Sequence, residues 1–145
     1  MKICIDITEM LKTPYVSGIQ RVVREVTTRW IAAGKEVTLL AYDAVNVCFK
    51  VVDNRKYYDQ YTGKSKSGDI FSGRIMKFSD FNREHIFFDM DSVWMTPLKR
   101  TYLLPILKKR GTKIVAHIYD IIPVTEPQYC HELTVVNFLE YISAQ

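Results

Sequence analysis

The first 42 residues contain the pattern that most constrains the fold: a strand, a loop, a helix, a glycine and a second strand. Lys2–Ile7 and Glu36–Tyr42 are short apolar runs typical of buried strands. Between them, Thr8–Ser17 predicts a loop, and apolar residues recur at helical spacing over Ile19–Trp30. Gly34 follows at a position typical of a helix end. This order predicts a βαβ unit, the building block of an open parallel sheet.

The rest of the chain continues with strand and helix patterns. The predicted strands are Val45–Val52, His85–Met90 and Thr112–Tyr119. The predicted helices are Leu98–Arg110, with a kink expected at Pro105, and Glu132–Gln145. The polar, glycine-containing segment Asn54–Gly73 and the segment Ile121–Pro127 predict loops. The fold class predicted is therefore α/β, with a Rossmann-like, open, mostly parallel sheet flanked by helices.

Composition restricts the class of protein. The 145 residues are 48% hydrophobic and 25% charged, which fits one globular domain over residues 1–145 and excludes a disordered chain. No apolar run approaches the roughly 18 residues of a membrane span, and the N-terminus lacks a signal-peptide pattern. Cys4, Cys48 and Cys130 are odd in number and form no CxxC motif, which indicates a reducing compartment. We therefore expect a cytoplasmic location.

The loop around Gly18 is a candidate anion site. A helix N-terminus after a strand carries unpaired amides and a partial positive charge, and Arg21 and Arg24 could add charged bonds to a phosphate. A single glycine does not make the G-x-G-x-x-G pattern of dinucleotide-binding dehydrogenases. The alternative is that Gly18 only permits a tight turn and that the arginines are solvated.

The strand end His117–Asp120 is the second candidate. Alternation along a strand places His117 and Tyr119 on one face, and the carboxyl ends of parallel strands are where functional residues collect. The alternatives are that His117 is a structural residue and that Asp120 caps a turn through its side chain.

Three other clusters allow a structural and a functional interpretation. Lys108–Arg110 indicates the last turn of a helix rather than a site for phosphate or anionic lipid. Asp89 and Asp91 could bind a metal or act as acid and base, but no third ligand follows at a suitable spacing, which favours turn chemistry. Tyr57, Tyr58 and Tyr61, with basic neighbours, could stack on bases or sugar rings.

Two segments carry a family resemblance. Ser17–Glu25 (SGIQRVVRE) follows the strand that contains Ile5-Asp6, and Val115–Pro127 reads VAHIYDIIPVTEP. In residues, order and separation they resemble the two main N-terminal motifs of bacterial glycosyltransferase family 4. Gly68–Ile70 and Phe88–Trp94 resemble looser elements between them. The resemblance spans essentially the whole chain.

The resemblance implies one half of a GT-B fold, in which two Rossmann-like domains face a cleft. This chain would be the N-terminal, acceptor-side domain of a retaining hexosyltransferase, and the donor-binding domain would be a separate partner. The substrates would be a nucleotide sugar and a glycan or lipid-linked acceptor, in surface polysaccharide synthesis. No metal or other cofactor and no nucleic acid would be required. Peripheral association with the inner face of the membrane is compatible with such substrates.

The resemblance also assigns residue roles. Tyr119 and Asp120 would be catalytic; many family members have His at the position of Tyr119 and a subgroup has Tyr. The residues expected to bind substrate phosphate are Ser17, Gly18, Gln20 and Arg21. Since transfer needs both domains, we expect the chain to be inactive alone. The alternative is a stand-alone α/β module that binds a glycan or a partner protein without catalysis.

Overall fold

A six-stranded mixed sheet, mostly parallel and flanked by helices, organises the protein. The computed structural model describes residues 1–12, 17–66 and 68–145. The strands are β1 (Lys2–Asp6), β2 (Val37–Asp43), β3 (Cys48–Val52), β4 (Phe71–Met76), β5 (His85–Asp89) and β6 (Lys113–Ala116). The helices are α1 (Thr8–Lys12), α2 (Gly18–Ala32), α3 (Asn54–Tyr61), α4 (Arg100–Lys109), α5 (Ile122–Thr125) and α6 (Glu132–Ala144).

The parallel part of the sheet is formed by β2, β1, β5 and β6 in that spatial order. β1 pairs in parallel with β2, with Cys4 opposite Thr38, and also with β5, with Cys4 opposite Phe87. The predicted βαβ unit is therefore confirmed, with α2 connecting two neighbouring parallel strands. Gly34 lies just beyond α2 with a φ of +67°, a left-handed conformation that glycine adopts without a steric penalty.

The antiparallel part differs more from the prediction. β3 and β4 pair antiparallel and extend the sheet beyond β2. The prediction of an exposed loop over Asn54–Gly73 is wrong for most of that segment, because it contains α3 and the start of β4. Asp53 caps α3 by accepting hydrogen bonds from the amides of Arg55 and Lys56, and Tyr57 is completely buried. The burial of Tyr57 and the cap at Asp53 stabilise helix α3 in spite of its polar composition. Ser67 lies outside the described residues.

Four smaller boundaries also change. The predicted loop Thr8–Ser17 begins with helix α1, and its residues 13–16 lie outside the described residues. The strand predicted over Thr112–Tyr119 ends at Ala116, because the backbone leaves the β5 pairing after Asp89 opposes Ala116. Ile121–Pro127, predicted as a loop, contains the short helix α5. Helix α4 begins at Arg100 and continues through Pro105.

Two apolar clusters cover the two faces of the sheet, as the alternation of a strand requires. Cys4, Leu40 and Phe87 face α4, and the adjacent Ile5 and Leu39 face α2 and α3. Burial of a Phe or Leu side chain stabilises a fold by roughly 1.5–3 kcal/mol, so these layers fix which face each strand presents. All three cysteines are free, and Cys4 and Cys48 are buried.

Candidate functional site

A cavity of about 250 Å³ lies at the carboxyl end of the parallel strands. Its walls are mainly apolar and come from α2, from the loop after β6, and from α5 and α6. Ile19 contributes from the first turn of α2, next to Gly18, and His117–Asp120 contribute from the loop after β6. Two segments about a hundred residues apart in sequence are therefore brought to one cavity by the parallel topology. Trp94, Phe138 and Tyr141 form an aromatic wall.

The N-terminus of α2 is closed by a reciprocal capping box. The Gln20 amide donates to Ser17 Oγ at 3.3 Å, and the Ser17 amide donates to Gln20 Oε1 at 2.9 Å. Gln20 is also largely buried. The predicted phosphate-binding side chains Ser17 and Gln20 therefore bind the helix terminus itself, and a ligand at this point would meet the backbone of the first turn.

Gly18 and Arg21 are placed differently. Gly18 is the first residue of α2, with no positive φ, and an added Cβ would meet no atom within 4 Å among the described neighbours. A tight turn therefore does not explain this glycine, whereas the close approach of a ligand to the first-turn amides would. Arg21 is exposed and Arg24 is half-buried on the same helix.

Tyr119 and His117 lie side by side, as the alternation predicted, with ring centroids 4.4 Å apart. The Tyr119 hydroxyl donates to the carbonyl oxygen of Met90 at 2.8 Å, and burial raises the pKa of Tyr119 to about 12. This hydroxyl is therefore protonated at neutral pH and anchors the loop after β6 to the end of β5. The His117 amide donates to Asp89 O, which leaves its exposed ring at the cavity.

Asp120 is exposed at the rim of the same cavity. Its Oδ1 accepts a hydrogen bond of 3.1 Å from the amide of Ile122, at the start of α5. The side chain therefore has the capping role that the alternative interpretation described. Its other carboxylate oxygen has no protein donor among the described residues, so it can accept a hydrogen bond from a ligand hydroxyl.

A buried ion cluster is the feature that sequence reasoning missed. Arg100 Nε donates to Asp89 Oδ2 at 2.9 Å, and Arg100 Nη2 donates to Asp89 Oδ1 at 2.8 Å and to Asp6 Oδ2 at 2.9 Å. All three residues are almost fully buried. Burial by itself lowers the pKa of Arg100, but the carboxylates of Asp89 and Asp6 raise it above its ordinary value. The favoured interpretation, in which the Asp89 side chain stabilises a turn, is therefore wrong, because Asp89 bonds to Arg100.

A signal for this cluster was present in the sequence. Asp6 and Asp89 each end an apolar strand, at the same parity as the core residues Cys4 and Phe87. On parallel neighbouring strands this places both carboxylates on one face, where an unpaired charge would be costly. The first turn of α4 covers that face and supplies Arg100, so a nearby basic residue at a helix start is the expected counter-ion.

The other clusters lie away from the cavity or in structural roles. Asp91 accepts hydrogen bonds of 2.8 Å from the amides of Met10 and Ser92, so turn chemistry describes it in part. Tyr57 lies on α3, where its hydroxyl is 2.8 Å from Thr27 Oγ1, and it is not available for stacking. Lys108–Arg110 forms the last turn and cap of α4, as expected.

Neither a metal-binding cluster nor a membrane-spanning helix is found in the described part of the chain. Residues 1–12, 17–66 and 68–145 hold no group of three or more His, Cys, Asp or Glu side chains arranged to bind a metal ion. Within the same ranges, the helices lack the combined length and apolar character needed to cross a membrane.

Comparison with known proteins returned no match. Neither a family model nor a curated protein nor a solved structure shows significant similarity to the chain. The fold is therefore established as α/β from the structure itself, and the function rests on the chemistry of the cavity and on the motifs that meet there.

Proposed function

We propose that this chain is the acceptor-side domain of a retaining glycosyltransferase of family 4, one half of a GT-B enzyme. The reaction would move a glycosyl group from a nucleotide sugar to a glycan or lipid-linked acceptor in surface polysaccharide synthesis. The observation that carries the proposal is the meeting of the two motifs that resemble this family. Ile19, beside Gly18, and Tyr119-Asp120 line one cavity at the carboxyl end of the parallel strands. Ligands bind at this end of open α/β sheets.

The cavity suits a sugar ring in both shape and chemistry. Aromatic faces at Trp94 and Tyr119 offer apolar surface, and Asp120 and His117 offer polar atoms at the rim. Apolar pockets with a few polar groups that set orientation are typical of small-molecule sites. In this proposal Asp120 accepts a hydrogen bond from an acceptor hydroxyl, and Tyr119 positions the loop rather than transferring a proton.

The first turn of α2 would face the diphosphate of the donor. Its amides and the positive end of a 15-residue helix stabilise negative charge, and Arg21 adds a cation. Gly18 leaves this surface open, because it carries no side chain and no neighbouring atom lies within 4 Å of the position that a Cβ would take. No residue of the chain is assigned to a metal, and the nucleotide sugar is the only co-substrate required. A cytoplasmic location, with peripheral contact at the inner face of the membrane, fits these substrates.

A partner-binding module is the second candidate, and a specific surface favours it. The elements that line the cavity also carry apolar side chains that are 44% to 59% exposed; they are Ile118, Ile121, Ile122, Val124, Leu133, Val136 and Leu139. Exposed apolar patches of this kind mark interaction sites. Residues 114–145 contain four acidic residues and no lysine or arginine, so a partner with an apolar, basic surface fits best. A donor-binding domain would be such a partner, and with it the two candidate functions are compatible.

Ligand titration followed by NMR tests the proposal. Hexose oligosaccharides should shift the signals of Trp94, His117 and Tyr119, and pyrophosphate should shift the amides of Gly18 and Ile19. Nucleotide sugars incubated with the chain alone should give neither transfer nor donor hydrolysis. Robust turnover by the chain alone, or saccharide shifts that avoid the cavity, would refute the acceptor-side assignment.

Gly18→Val provides the matching substitution. Because its Cβ position is open and its φ is ordinary, the substitution should change stability by less than about 1 kcal/mol while weakening the pyrophosphate shifts. Ala33→Val is the control, since Ala33 is exposed at the opposite end of the same helix. With a donor-binding domain supplied, only Gly18→Val should reduce transfer; equal transfer by both variants contradicts the role of Gly18.

A further inference from the structure

The fixed charge in the lining of the candidate cavity is negative. Among the described residues, the lining contains one carboxylate, that of Asp120, and neither lysine nor arginine. The surrounding segment has the same sign, because residues 114–145 contain four acidic residues and no basic side chain of either type. A ligand group that enters the cavity beside Asp120 therefore meets a negative potential.

Basic side chains on the neighbouring helix α4 do not neutralise Asp120. Arg100 is buried and bonded to two other carboxylates, and Lys99 pairs with Glu140 on α6 at 3.3 Å. In the part of the chain that the structure describes, no lysine or arginine forms an ion pair with Asp120. The charge of this carboxylate is therefore available to a ligand.

The Asp120 side chain is also held in place before any ligand arrives. Its Oδ1 accepts from the Ile122 amide at 3.1 Å, and its second carboxylate oxygen has no donor among the described residues. A hydrogen bond between an ammonium and a carboxylate is roughly twice as strong as one between neutral groups. Of the groups that donate to such an oxygen, an ammonium is therefore favoured over a hydroxyl.

The aromatic wall of the cavity favours the same ligand charge. The Trp94 ring lies 5.3 Å from Phe138 and 5.8 Å from Tyr141 between centroids, and Tyr119 adds a further ring to the lining. The faces of aromatic rings carry partial negative charge, so they attract cations and disfavour anions. Aromatic rings and the carboxylate thus act in the same direction.

We propose that the acceptor sugar bound in this cavity carries a protonated amine, as a hexosamine does, and that Asp120 selects for it. The inference rests on the proposed function, because it names the acceptor class of the same site. The sugar ring packs against the aromatic wall, and the ammonium donates to the free oxygen of Asp120. Asp120 is then a specificity-determining residue.

The two substrates would carry opposite charges to different walls of the cavity. Ile19 brings the first turn of α2 to the cavity, where the helix dipole and Arg21 favour the diphosphate of the donor. An acidic acceptor, such as a uronic acid, would compete for that wall and would be repelled by Asp120. A cationic acceptor avoids both effects, so charge helps to orient the two substrates.

Titration of the chain with four monosaccharides, followed by NMR at the Trp94 indole N–H, tests the inference. The measurement is made at low ionic strength and pH 6.5, with protonated glucosamine, ionised glucuronic acid and the neutral sugars glucose and N-acetylglucosamine. Glucosamine should bind roughly threefold or more tightly than both neutral sugars, because opposite unit charges about 5 Å apart attract even in water. Glucuronate should bind most weakly.

The outcomes separate this inference from the proposed function. If neutral sugars bind in the cavity and glucosamine binds no more tightly than they do, the proposed function stands and the amine specificity is overturned. Tighter binding of glucuronate than of glucose overturns it as well. If none of the sugars shifts the Trp94 signal, both proposals fail.

Asp120→Asn supplies the matched variant. Asparagine keeps an oxygen that can accept from the Ile122 amide, and it removes the charge. The affinity for glucosamine should fall to that for the neutral sugars, whose own affinities should not change.

Glu126→Gln is the control, because it removes the same charge from an exposed residue of the same segment that is outside the cavity lining. This variant should keep the preference for glucosamine. A preference that survives in Asp120→Asn, or one that is lost equally in Glu126→Gln, overturns the role of Asp120.

Discussion

The carboxyl ends of β5 and β6 lie side by side in the sheet, and they are built in opposite ways. At β5, Asp89 and its neighbour Asp6 are fully buried and bonded to Arg100. At β6, the chain continues into His117–Asp120, which line an apolar cavity surrounded by exposed isoleucines. Both ends carry the polar residues that indicate a functional site. The polar groups at β5 bond to one another, whereas those at β6 leave polar atoms available to a ligand. A carboxylate at a strand end therefore indicates a site only when no counter-ion is bonded to it.

The largest expected effect comes from disrupting the buried ion cluster at the end of β5. Arg100→Met removes the only cation of the cluster and leaves Asp6 and Asp89 buried without a cationic partner. We expect a loss of unfolding free energy of about 3–5 kcal/mol, measured by urea denaturation, because an uncompensated buried charge is costly. Arg29→Met is the control: its ion pair with Glu25 is 3.6 Å long and exposed, and its loss should cost less than about 1 kcal/mol. Equal losses would contradict the distinction.

The second effect separates Asp91 from the ion cluster beside it. Burial raises the pKa of Asp91 to about 7, which means that the stability it contributes is present at low pH and is lost as the pH rises toward 7. Between pH 5 and pH 8, the free energy of unfolding of Asp91→Asn should therefore rise relative to that of the unmodified chain, by on the order of 3 kcal/mol. Urea denaturation at both pH values measures this double difference. A constant difference would mean that Asp91 is ionised throughout.

Tyr119→Phe is an intermediate case, at the contact between the two strand ends. It removes the hydroxyl that bonds to Met90 O and leaves the ring against His117. We expect a loss of about 1–2 kcal/mol, since one buried carbonyl loses its donor. Tyr129→Phe is the matched control, because Tyr129 is strongly exposed and its substitution should be neutral. If the proposed positioning role is correct, Tyr119→Phe should also alter the saccharide-induced shifts at His117.

The smallest effect on stability is expected on the exposed surface of α6, beside the cavity. Leu133→Ser replaces an exposed leucine on α6 and should change unfolding by no more than about 0.5 kcal/mol. Binding of a donor-binding domain, measured by calorimetry, should nevertheless weaken severalfold if this surface is the docking face. Val45→Ser, an exposed position in the turn between β2 and β3, should leave binding unchanged. Equal effects of the two substitutions on binding would place the docking face elsewhere.

Elements with strong periodicity could be predicted from the sequence, and those held by single contacts could not. The βαβ unit and helix α6 follow from apolar spacing over many residues. Helix α3 escaped prediction because its polar sequence is stabilised by one buried ring, Tyr57, and one cap, Asp53. The cavity could be predicted only in part: the strand end His117–Asp120 was identified, but its aromatic wall from α6 required the tertiary structure.

By itself the sequence determined the α/β class, the βαβ unit that joins β1 and β2, and the two motifs that suggest sugar transfer. Local periodicity and glycine positions carry that information, because they depend on residues close together in the chain. Only the tertiary structure decided what the charged residues do. Asp6, Asp89 and Arg100 are far apart in sequence, and burial converts them into one ion cluster while it leaves Asp91 without a cation. Charge–charge and desolvation energies depend on distance and burial in space, and sequence separation specifies neither.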